Sequence, residues 1–324
     1  MQKVSILIVG RNEETNLPKL FDSLKKLTYP KDSYEVVYVD DASSDRSPEI
    51  AKAYGAIVHR AERRQGRGGI RNLALSKAKH PLVAWIDADC EVVDPDWLQQ
   101  MLGHLGGAVA GVSGHQMRPP IGLPRLISYL PGMMVEVNRA REASWAPTTS
   151  SLFIKRVLIE AGGYRNDLVT AEDLEICWRL GEKGWKFVHI PEAKVVHHFR
   201  ATLDGFVRQQ WERGVFGAAL IRRYRKGAFA TAFNALWFGA LLAAAIGVFF
   251  PPLLAAIAVV PFLLYMGLDG IHPVTGMLAG YRRDGGGVGG MFRLLALNYI
   301  KTAALLGGIL RYQFGSLVGH AYSL

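Results

Sequence analysis

The sequence predicts an α/β fold followed by C-terminal membrane helices. Short apolar runs alternate with amphipathic segments over the first two thirds of the 324 residues. Strands that alternate with helices form parallel sheets with right-handed crossovers. Close to the end of the chain, no Asp, Glu, Lys or Arg occurs from residue 229 to residue 268. These two patterns predict an α/β domain large enough for an enzyme and a tail of a different kind.

Apolar periodicity defines the elements of the first part of the chain. The predicted strands are residues 4–9, 34–39, 56–59 and 82–86. The predicted helices are residues 13–27, 47–54 and 70–77. A loop rich in Gly and Arg precedes the third helix at residues 63–69. It lacks the Gly-Lys-Ser/Thr ending of a nucleoside-triphosphatase loop, so we expect it to close flexibly over a donor molecule instead.

The next part of the chain is less regular. The predicted strands are residues 108–115, 149–154, 186–190 and 194–197. A helix is predicted at residues 172–183, with Leu174, Cys177 and Leu180 on its apolar side. Residues 119–139 follow no single pattern.

Composition narrows the class of protein. Hydrophobic residues make up 50% of the chain and charged residues 20%, and the formal net charge is +10. Such a charge suits an anionic partner. Nucleic acid is disfavoured because the basic residues cluster beside the apolar run and do not alternate with exposed aromatic residues. The two cysteines, Cys90 and Cys177, have no zinc-site spacing, and we expect reduced structural thiols.

The charge-free run predicts a membrane hairpin. One spanning helix needs about 20 apolar residues, so the run fits two spans joined at Pro251-Pro252. A buried hairpin in a soluble core is the alternative. Basic residues precede the first span and follow the second, namely Arg222, Arg223, Arg225, Lys226, Arg282 and Arg283. The positive-inside rule therefore predicts a multi-pass protein of the cell membrane with both ends in the cytoplasm. Residues 4–9 are too short for a signal-peptide core.

Two further segments are predicted to lie at the membrane. Residues 206–224 mix apolar side chains with Arg208 and Arg213, as expected for an amphipathic helix on anionic lipids. Residues 291–310 fit either a third span or an interfacial helix. Arg293 and Lys301 favour the interfacial helix.

Asp87 and Asp89 directly follow the apolar run of residues 82–86. In open α/β sheets ligands bind beyond the carboxyl ends of the strands. Mg²⁺ and Mn²⁺ prefer oxygen ligands, and they are commonly held by one or two carboxylates together with substrate phosphates. The pair therefore predicts a metal site for a diphosphate. The alternative is a solvated acidic turn.

Asp40 and Asp41 end the second predicted strand, where a carboxylate can accept the N–H of a uracil or guanine edge. Asp also favours Asx-turns, which is the alternative. Arg71 begins a helix beside the same crevice and could bind a phosphate or the base with its guanidinium group. A surface salt bridge is the alternative for Arg71.

Six motifs occur in one order along the chain, at residues 6–13, 39–45, 68–72, 87–89, 170–173 and 210–213. In this order they resemble an inverting glycosyltransferase of family 2 with the GT-A fold, a Rossmann-like mixed sheet flanked by helices. The resemblance covers roughly residues 4–214. The last motif is similar to the Q-x-x-R-W element of processive members, but Gly214 replaces the Trp. This replacement puts a polymer-stacking role in doubt.

The resemblance implies a role for each candidate residue. Asp173 would be the general base and Glu172 its neighbour that orients the acceptor, although both residues also suit the start of a helix. Asp89 would bind Mg²⁺ or Mn²⁺ directly, while Asp87 would face the ribose or the ion. A histidine, His197 or His198, would complete the metal site. The implied donor-binding residues are Arg11, Glu13, Asp40, Asp41, Arg71, Asp87, Gln210 and Arg213.

The expected protein transfers a sugar from a UDP- or GDP-sugar to a lipid-linked, glycan or membrane-proximal acceptor at the cytoplasmic face. A processive polysaccharide synthase is one alternative, and a non-catalytic sugar-nucleotide sensor or scaffold at the membrane is another. The predicted parts are a catalytic domain (1–200), an interfacial helix region (201–228), a transmembrane hairpin (229–272) and a C-terminal part (273–324).

Overall fold

The computed structural model describes residues 1–130, 133–168, 170–199, 202–224 and 271–317. The chain divides into two compact units. The first contains residues 1–125 and 134–202, and the second contains residues 126–133 and the helices from residue 203 onward. The predicted domain boundaries stay a prediction. Residues 229–270 of the predicted hairpin lie outside the described residues.

The first unit is built on one nine-stranded mixed sheet. Its strands are β1 (Val4–Gly10), β2 (Tyr34–Asp40), β3 (Ile57–Arg60), β4 (Leu82–Ile86), β5 (Cys90–Val92), β6 (Val109–Met117), β7 (Arg141–Ala143), β8 (Ser150–Ile154) and β9 (Lys186–His197). The strand order is β3-β2-β1-β4-β8-β6-β9-β5, and β7 pairs with β9.

The first four strands are parallel, as the alternating pattern predicts. Strand β8 is different, because it runs antiparallel to both β4 and β6. It lies between β4 and β6 in the sheet, and antiparallel neighbours need no crossover helix between them. The alternation of strands and helices alone predicts a parallel sheet, which is wrong for β8. The mixed sheet that the resemblance implies is confirmed.

Both faces of the sheet are buried. Ile6 and Ile8 of β1 pack into one apolar layer, and Leu7 between them packs into the other, because successive side chains of a strand point to opposite faces. The flanking helices are α1 (Leu17–Leu24), α2 (Ser47–Ala53), α3 (Gly66–Lys77), α4 (Trp97–Leu102), α6 (Lys155–Glu160) and α7 (Glu172–Glu182). Helix α5 (Gly122–Ser128) begins in the first unit and ends in the second.

Several element boundaries differ from the predicted ones. Helix α1 begins only at Leu17, with Pro18 in its first turn, because the preceding residues form a loop that is hydrogen-bonded to the β2–α2 loop. Helix α3 begins at Gly66, so the expected flexible segment is mostly its first turn. Strand β9 is continuous where two short strands were predicted, and its pairing with β6 contains a register shift. Strands β5 and β7 and helices α4, α5 and α6 were not predicted.

The second unit is helical. It contains α8 (Leu203–Tyr224), α9 (Ile271–Arg283) and α10 (Val288–Leu317). Helices α8 and α10 approach closely at two glycines of α10. A Cβ on Gly307 would lie 2.2 Å from the Trp211 ring, and one on Gly308 would lie 2.1 Å from the Trp211 carbonyl oxygen. Among the described residues, no helix combines the length and the apolar character that a membrane crossing requires.

Candidate active site

The loops after β1 and β2 are joined at the carboxyl ends of these strands. The Asn12 N–H donates to Ser43 Oγ at 2.9 Å, and the Glu13 N–H donates to Ser47 Oγ at 2.8 Å. Asn12 accepts in return from the Ser44 N–H at 2.9 Å. Asn12 has φ 58°, which an Asn tolerates better than most residues. These bonds give the edge of the predicted donor site a fixed shape.

Asp40 is fully buried at the end of β2. Its Oδ2 accepts the Ser43 N–H at 2.9 Å, and its Oδ1 accepts the Ser43 hydroxyl. Arg60 Nε lies 3.4 Å from the same Oδ2. These contacts are those of the turn alternative. The predicted contact between Asp40 and a nucleotide base stays a prediction.

Asp41 holds the start of α3. Its Oδ1 accepts the Gln65 N–H at 2.5 Å, and its Oδ2 accepts the Gly66 N–H at 3.3 Å. A carboxylate in this position stabilises a helix because it satisfies N–H groups that have no partner within the helix. Asp41 therefore joins the second strand to α3, which carries Arg71.

Helix α3 packs directly on the loop that precedes α7. A Cβ on Gly68 would lie 1.9 Å from the Arg165 carbonyl oxygen, so this helix turn needs glycine. One turn later, Asn72 Nδ2 donates to the Tyr164 carbonyl and to Asn166 Oδ1, both at 2.7 Å. Asn72 Oδ1 accepts the Tyr164 N–H at 2.7 Å. These contacts anchor the Gly-rich segment, which was expected to be flexible.

Arg71 is buried between two carboxylates. Its Nη2 donates to Asp87 Oδ1 at 3.0 Å, and its Nε donates to Glu172 Oε1 at 2.9 Å. Its guanidinium carbon lies 5.3 Å from the centre of the Trp85 ring. Burial alone would lower the pKa of Arg71, but the negative charges of Asp87 and Glu172 raise it by more. The pKa of Arg71 therefore lies above its usual value. Arg71 therefore forms a buried ion pair where a surface salt bridge was the alternative.

Asp87 has a second partner across the sheet. Its Oδ2 accepts the Thr149 hydroxyl at 3.3 Å, and its side chain is 26% exposed. Thr149 directly precedes β8, whose Ser150 is opposite Ile86 of β4. The antiparallel pairing of β8 with β4 thus brings Thr149 to Asp87.

Asp173 lies in the first turn of α7, next to the buried Glu172. Burial, and then the charge of Glu172, raise the pKa of Asp173 to about 6, although Arg71 and the Leu174 N–H act to lower it. The charge of Asp87 also acts on Asp173, in the upward direction. The structure thus brings the α7 carboxylates together with the carboxylate at the end of β4.

Asp89 lies beside His197, with Oδ1 and Nε2 3.5 Å apart. Asp89, Cys90 and His197 each offer a ligand atom within 4.8 Å of the others. Burial and the charge of Asp89 raise the pKa of the Cys90 thiol well above its usual value. Mg²⁺ and Mn²⁺ prefer hard ligands to thiolates, so the Asp89 carboxylate and the His197 imidazole are the ligands of this group that suit them, together with further oxygen ligands.

The two predicted histidines differ in their contacts. Strand β5 pairs Cys90 with His197, which places His197 at Asp89. The His198 ring instead lies 2.6 Å from Glu91 Oε1, and only its backbone N–H reaches Asp89, at the carbonyl oxygen. Of the two, His197 is the histidine whose ring lies in the possible metal cluster.

The other predicted donor-binding residues lie in two places. Arg11 is exposed and Glu13 is half-buried in the loop after β1, where Glu13 accepts from the Asn16 side chain at 2.7 Å. Gln210 and Arg213 belong to α8 of the second unit. There, Arg213 Nη1 lies 3.1 Å from Met133 Sδ.

Some residues of this site were not predicted. Thr149 and Tyr164 contact the acidic cluster and α3, and Glu91 binds His198. Asn72 was part of a motif but had no assigned role. The only sequence signal for Thr149 was its place at the start of a predicted strand, which does not give the partner of that strand.

Comparison with known sequences places this chain in a family. The sequence model described as glycosyl transferase family group 2 matches residues 82–269, which is more than half of the chain. The model described as glycosyl transferase family 2 matches residues 5–131. The chain belongs to glycosyl transferase family 2. The mixed sheet with flanking helices matches the GT-A fold that the motifs imply for this family.

Curated relatives of this family 2 chain include glycosyltransferase AglE of Haloferax volcanii, which is 25% identical over 57% of this chain and 64% of its own length. The beta-monoglucosyldiacylglycerol synthase of Trichormus variabilis is 28% identical over 56% of this chain and 42% of its own length. The match therefore spans less than two thirds of each of these relatives.

Solved structures share the fold at low sequence identity. The mannosyltransferase PcManGT from Pyrobaculum calidifontis, solved in complex with GDP-Man and Mn²⁺, superposes with a TM-score of 0.61 at 16% identity. The alignment covers 96% of this chain and 87% of that one. TarS 1-349 of S. aureus, solved with UDP-GlcNAc, gives a TM-score of 0.52 at 17% identity over 99% and 93% of the two chains.

Proposed function

We propose that this family 2 member is an inverting, metal-dependent glycosyltransferase. It transfers the sugar of a UDP- or GDP-sugar to a hydroxyl of a lipid-linked, glycan or membrane-proximal acceptor. The nucleotide sugars bound by PcManGT and TarS in their structures support this donor class.

One observation carries the proposal. Arg71 joins Asp87, at the end of β4, to Glu172, at the start of α7. The strand end is the place where α/β sheets bind ligands, and α7 carries the candidate base. Donor-side and acceptor-side carboxylates are thus neighbours, as one reaction centre requires. If Asp87 only formed an acidic turn and Glu172 only began a helix, no buried ion pair would be needed between them.

Asp173 is the proposed general base. A base works best when its pKa lies near the working pH, and the pKa of Asp173 is raised to about 6. Its carboxylate takes the proton of the acceptor hydroxyl as that oxygen attacks the anomeric carbon from the side opposite the nucleoside diphosphate. This in-line attack inverts the configuration of the sugar. Glu172 is held by Arg71 and is proposed to orient the acceptor.

Asp89 and His197 would hold the metal, since their donor atoms fit a hard divalent cation and lie close together. When bound, Mg²⁺ or Mn²⁺ would stabilise negative charge on the diphosphate leaving group. Asp87 remains the proposed ligand of the ribose or the ion. Arg11, Glu13, Asp40 and Asp41 of the first unit, and Gln210 and Arg213 of the second, remain proposed donor-binding residues.

Membrane association is proposed from the tail. The first part of α10 exposes apolar side chains, with Val288 66% and Phe292 70% accessible, near the exposed basic residues Arg282, Arg283 and Arg293. This combination supports contact with an anionic lipid surface. The charge-free residues 229–268, as a multi-pass hairpin, and the cytoplasmic side of the catalytic domain are part of the same proposal.

The test is turnover of a panel of UDP- and GDP-sugars by the full chain in vesicles containing anionic lipid, with and without Mn²⁺. We expect release of one nucleotide diphosphate and an anomerically inverted product. The Asp89→Ala variant should lose turnover because the metal is lost. The Asp173→Asn variant should bind the donor but not transfer it. Full activity in both variants would contradict the proposed roles, and a ladder of growing products would show a processive synthase.

A further inference from the structure

Arg71 lies between the donor-side carboxylate and the acceptor-side carboxylate of the proposed reaction. It donates to Asp87 with Nη2 and to Glu172 with Nε. Glu172 directly precedes Asp173. A single guanidinium group therefore connects the end of β4 with the residue next to the base.

Burial limits what else Arg71 can bind. The residue is 5% exposed, and its guanidinium lies over the Trp85 ring. Its Nη1 is buried and has no hydrogen-bond partner among the described residues. A buried guanidinium that forms hydrogen bonds to two carboxylates is well suited to fix them in place. Such a group differs from an exposed arginine that reaches into a cleft to bind a phosphate.

We propose that Arg71 is a positioning residue for sugar transfer: it fixes Glu172 and the start of α7 beside Asp87, and its positive charge acts on the neighbouring Asp173. This inference rests on the proposed function, in which Asp173 takes the proton of the acceptor. It assigns Arg71 to the acceptor side of the reaction in addition to the donor side predicted from the sequence.

The charges around Asp173 explain why Arg71 matters. Glu172 on the same helix and Asp87 after β4 both raise the pKa of Asp173, and Arg71 lowers it. Tyr164 and Cys177 also interact with Asp173, but burial raises the pKa of both groups, so they stay neutral. Without Arg71, Asp173 would face two carboxylates and lose the cation that favours its ionised form.

The experiment compares pH–rate profiles of kcat for the full chain at saturating donor, acceptor and Mn²⁺. The acid limb is the part of the profile in which kcat rises with pH as Asp173 ionises. In Arg71→Gln we expect this limb to move to higher pH by about one unit or more, because an opposite charge has been removed. In Glu172→Gln we expect the limb to move down, because a like charge has been removed. Arg71→Lys keeps the charge but cannot span both carboxylates, so its limb should move less than that of Arg71→Gln.

A matched control is available on the same helix. Arg179 pairs with the buried Glu175, at 2.8 Å and 2.7 Å, and donates to the carbonyl oxygens of Ala161 and Gly163. None of these four contacts involves Asp173. Arg179→Gln should therefore destabilise α7 and leave the acid limb in place. A limb that moves equally in Arg71→Gln and Arg179→Gln would overturn the proposal.

The Arg71→Gln variant leaves two carboxylates without their cation and can fail to fold. The double variant Arg71→Gln, Glu172→Gln removes one charge of each sign. Because their opposite effects on Asp173 both disappear, its limb should lie between those of the single variants. Urea unfolding from about pH 4 to pH 8 measures the pKa shift of Asp173 in the absence of donor and metal. Each variant is compared with the same variant that also carries Asp173→Asn.

Two outcomes overturn the positioning role. One is weaker binding of the nucleotide sugar in Arg71→Gln with an unmoved limb, which would make Arg71 a donor contact. The other is an equal loss of rate at every pH. Failure of the proposed function is separate, since it would appear as full transfer activity in Asp173→Asn with native Arg71. An inactive Asp173→Asn that binds donor normally, together with an unmoved limb in the Arg71 variants, would reject the positioning role alone.

Discussion

Two regions of the molecule bury a carboxylate next to an arginine. One is the β2 turn, which contains Asp40, and the other is the α7 cluster, which contains Glu172 and Arg71. The two regions differ in how many of their polar atoms are hydrogen-bonded. In the turn, both carboxylate oxygens of Asp40 have a partner, since Ser43 of its own loop donates twice and Arg60 approaches from the adjacent strand. In the cluster, Arg71 Nη1 and Glu172 Oε2 are buried without a hydrogen-bond partner among the described residues.

This difference has an energetic meaning. A buried carboxylate whose hydrogen bonds are all made stabilises the loop around it. A cluster that leaves donors and acceptors unpaired, and holds a carboxylate with a raised pKa, is costly for the fold and is typical of sites that act on a ligand. The comparison therefore predicts mainly folding defects at Asp40 and mainly activity defects at Asp173.

The largest effect is expected for Asp173→Asn. Loss of a general base lowers kcat by about 100- to 10,000-fold. The change should be measured as initial transfer rate at saturating donor, with donor affinity measured by calorimetry. Asp22→Asn, at an exposed surface carboxylate, is the control and should retain the native rate. A similar loss of donor affinity in Asp173→Asn would place the residue in the donor site and weaken the contrast with Asp40.

The second effect concerns the metal. His197→Ala should weaken activation by Mn²⁺ by at least about 10- to 100-fold, since that is the typical cost of removing a group that only orients a metal ligand, and His197 is one of the two usable ligands. His198→Ala is the matched control, since that ring binds Glu91. The measurement is the Mn²⁺ concentration that gives half-maximal rate. Equal shifts in both variants would argue against a selective role of His197.

The third effect is on stability. Asp40→Ala removes the acceptor of two Ser43 hydrogen bonds in a buried loop and should lower the free energy of unfolding by about 2 kcal/mol. Urea unfolding of the variant should show this loss. Retained stability together with lost donor binding would favour the predicted base contact of Asp40.

The smallest effect is a gain. The folded-state pKa of Asp173, about 6, lies above its unfolded value, so the stability linked to its proton is present at low pH and is lost as the pH rises through 6. Asp173→Asn should therefore be more stable than the native chain near pH 8, by a margin that narrows as the pH falls toward 4. A constant difference across this range would contradict the raised pKa.

Much of the first unit could be predicted from the sequence because its buried strands are short apolar runs. Strands β1, β2 and β4 and the position of Asp87 follow directly from that pattern. The start of α3 does not, because its first turn is Gly66, Arg67, Gly68 and Gly69, which carries no apolar periodicity. Strand β5 has only the residues of Cys90–Val92, too few for a period to appear.

The contacts of the site were harder to predict because they depend on long-range pairing. Arg71 lies 101 residues from Glu172 along the chain, and only the packing of α3 beside α7 joins them. His197 and His198 are adjacent in sequence, and the register of β5 against β9 decides which of them lies at Asp89. Residue type indicated the chemistry of these positions, but the partners came from the tertiary structure.

The burial of the two thiols has a practical consequence. Cys90 belongs to the short edge strand β5, whereas Cys177 lies within α7, and burial raises the pKa of both. Protonated, inaccessible thiols react with alkylating reagents only when the surrounding structure opens. Their labelling rates would therefore time two separate opening events, one at the end of the sheet next to the candidate ion ligands and one in the helix that carries the base.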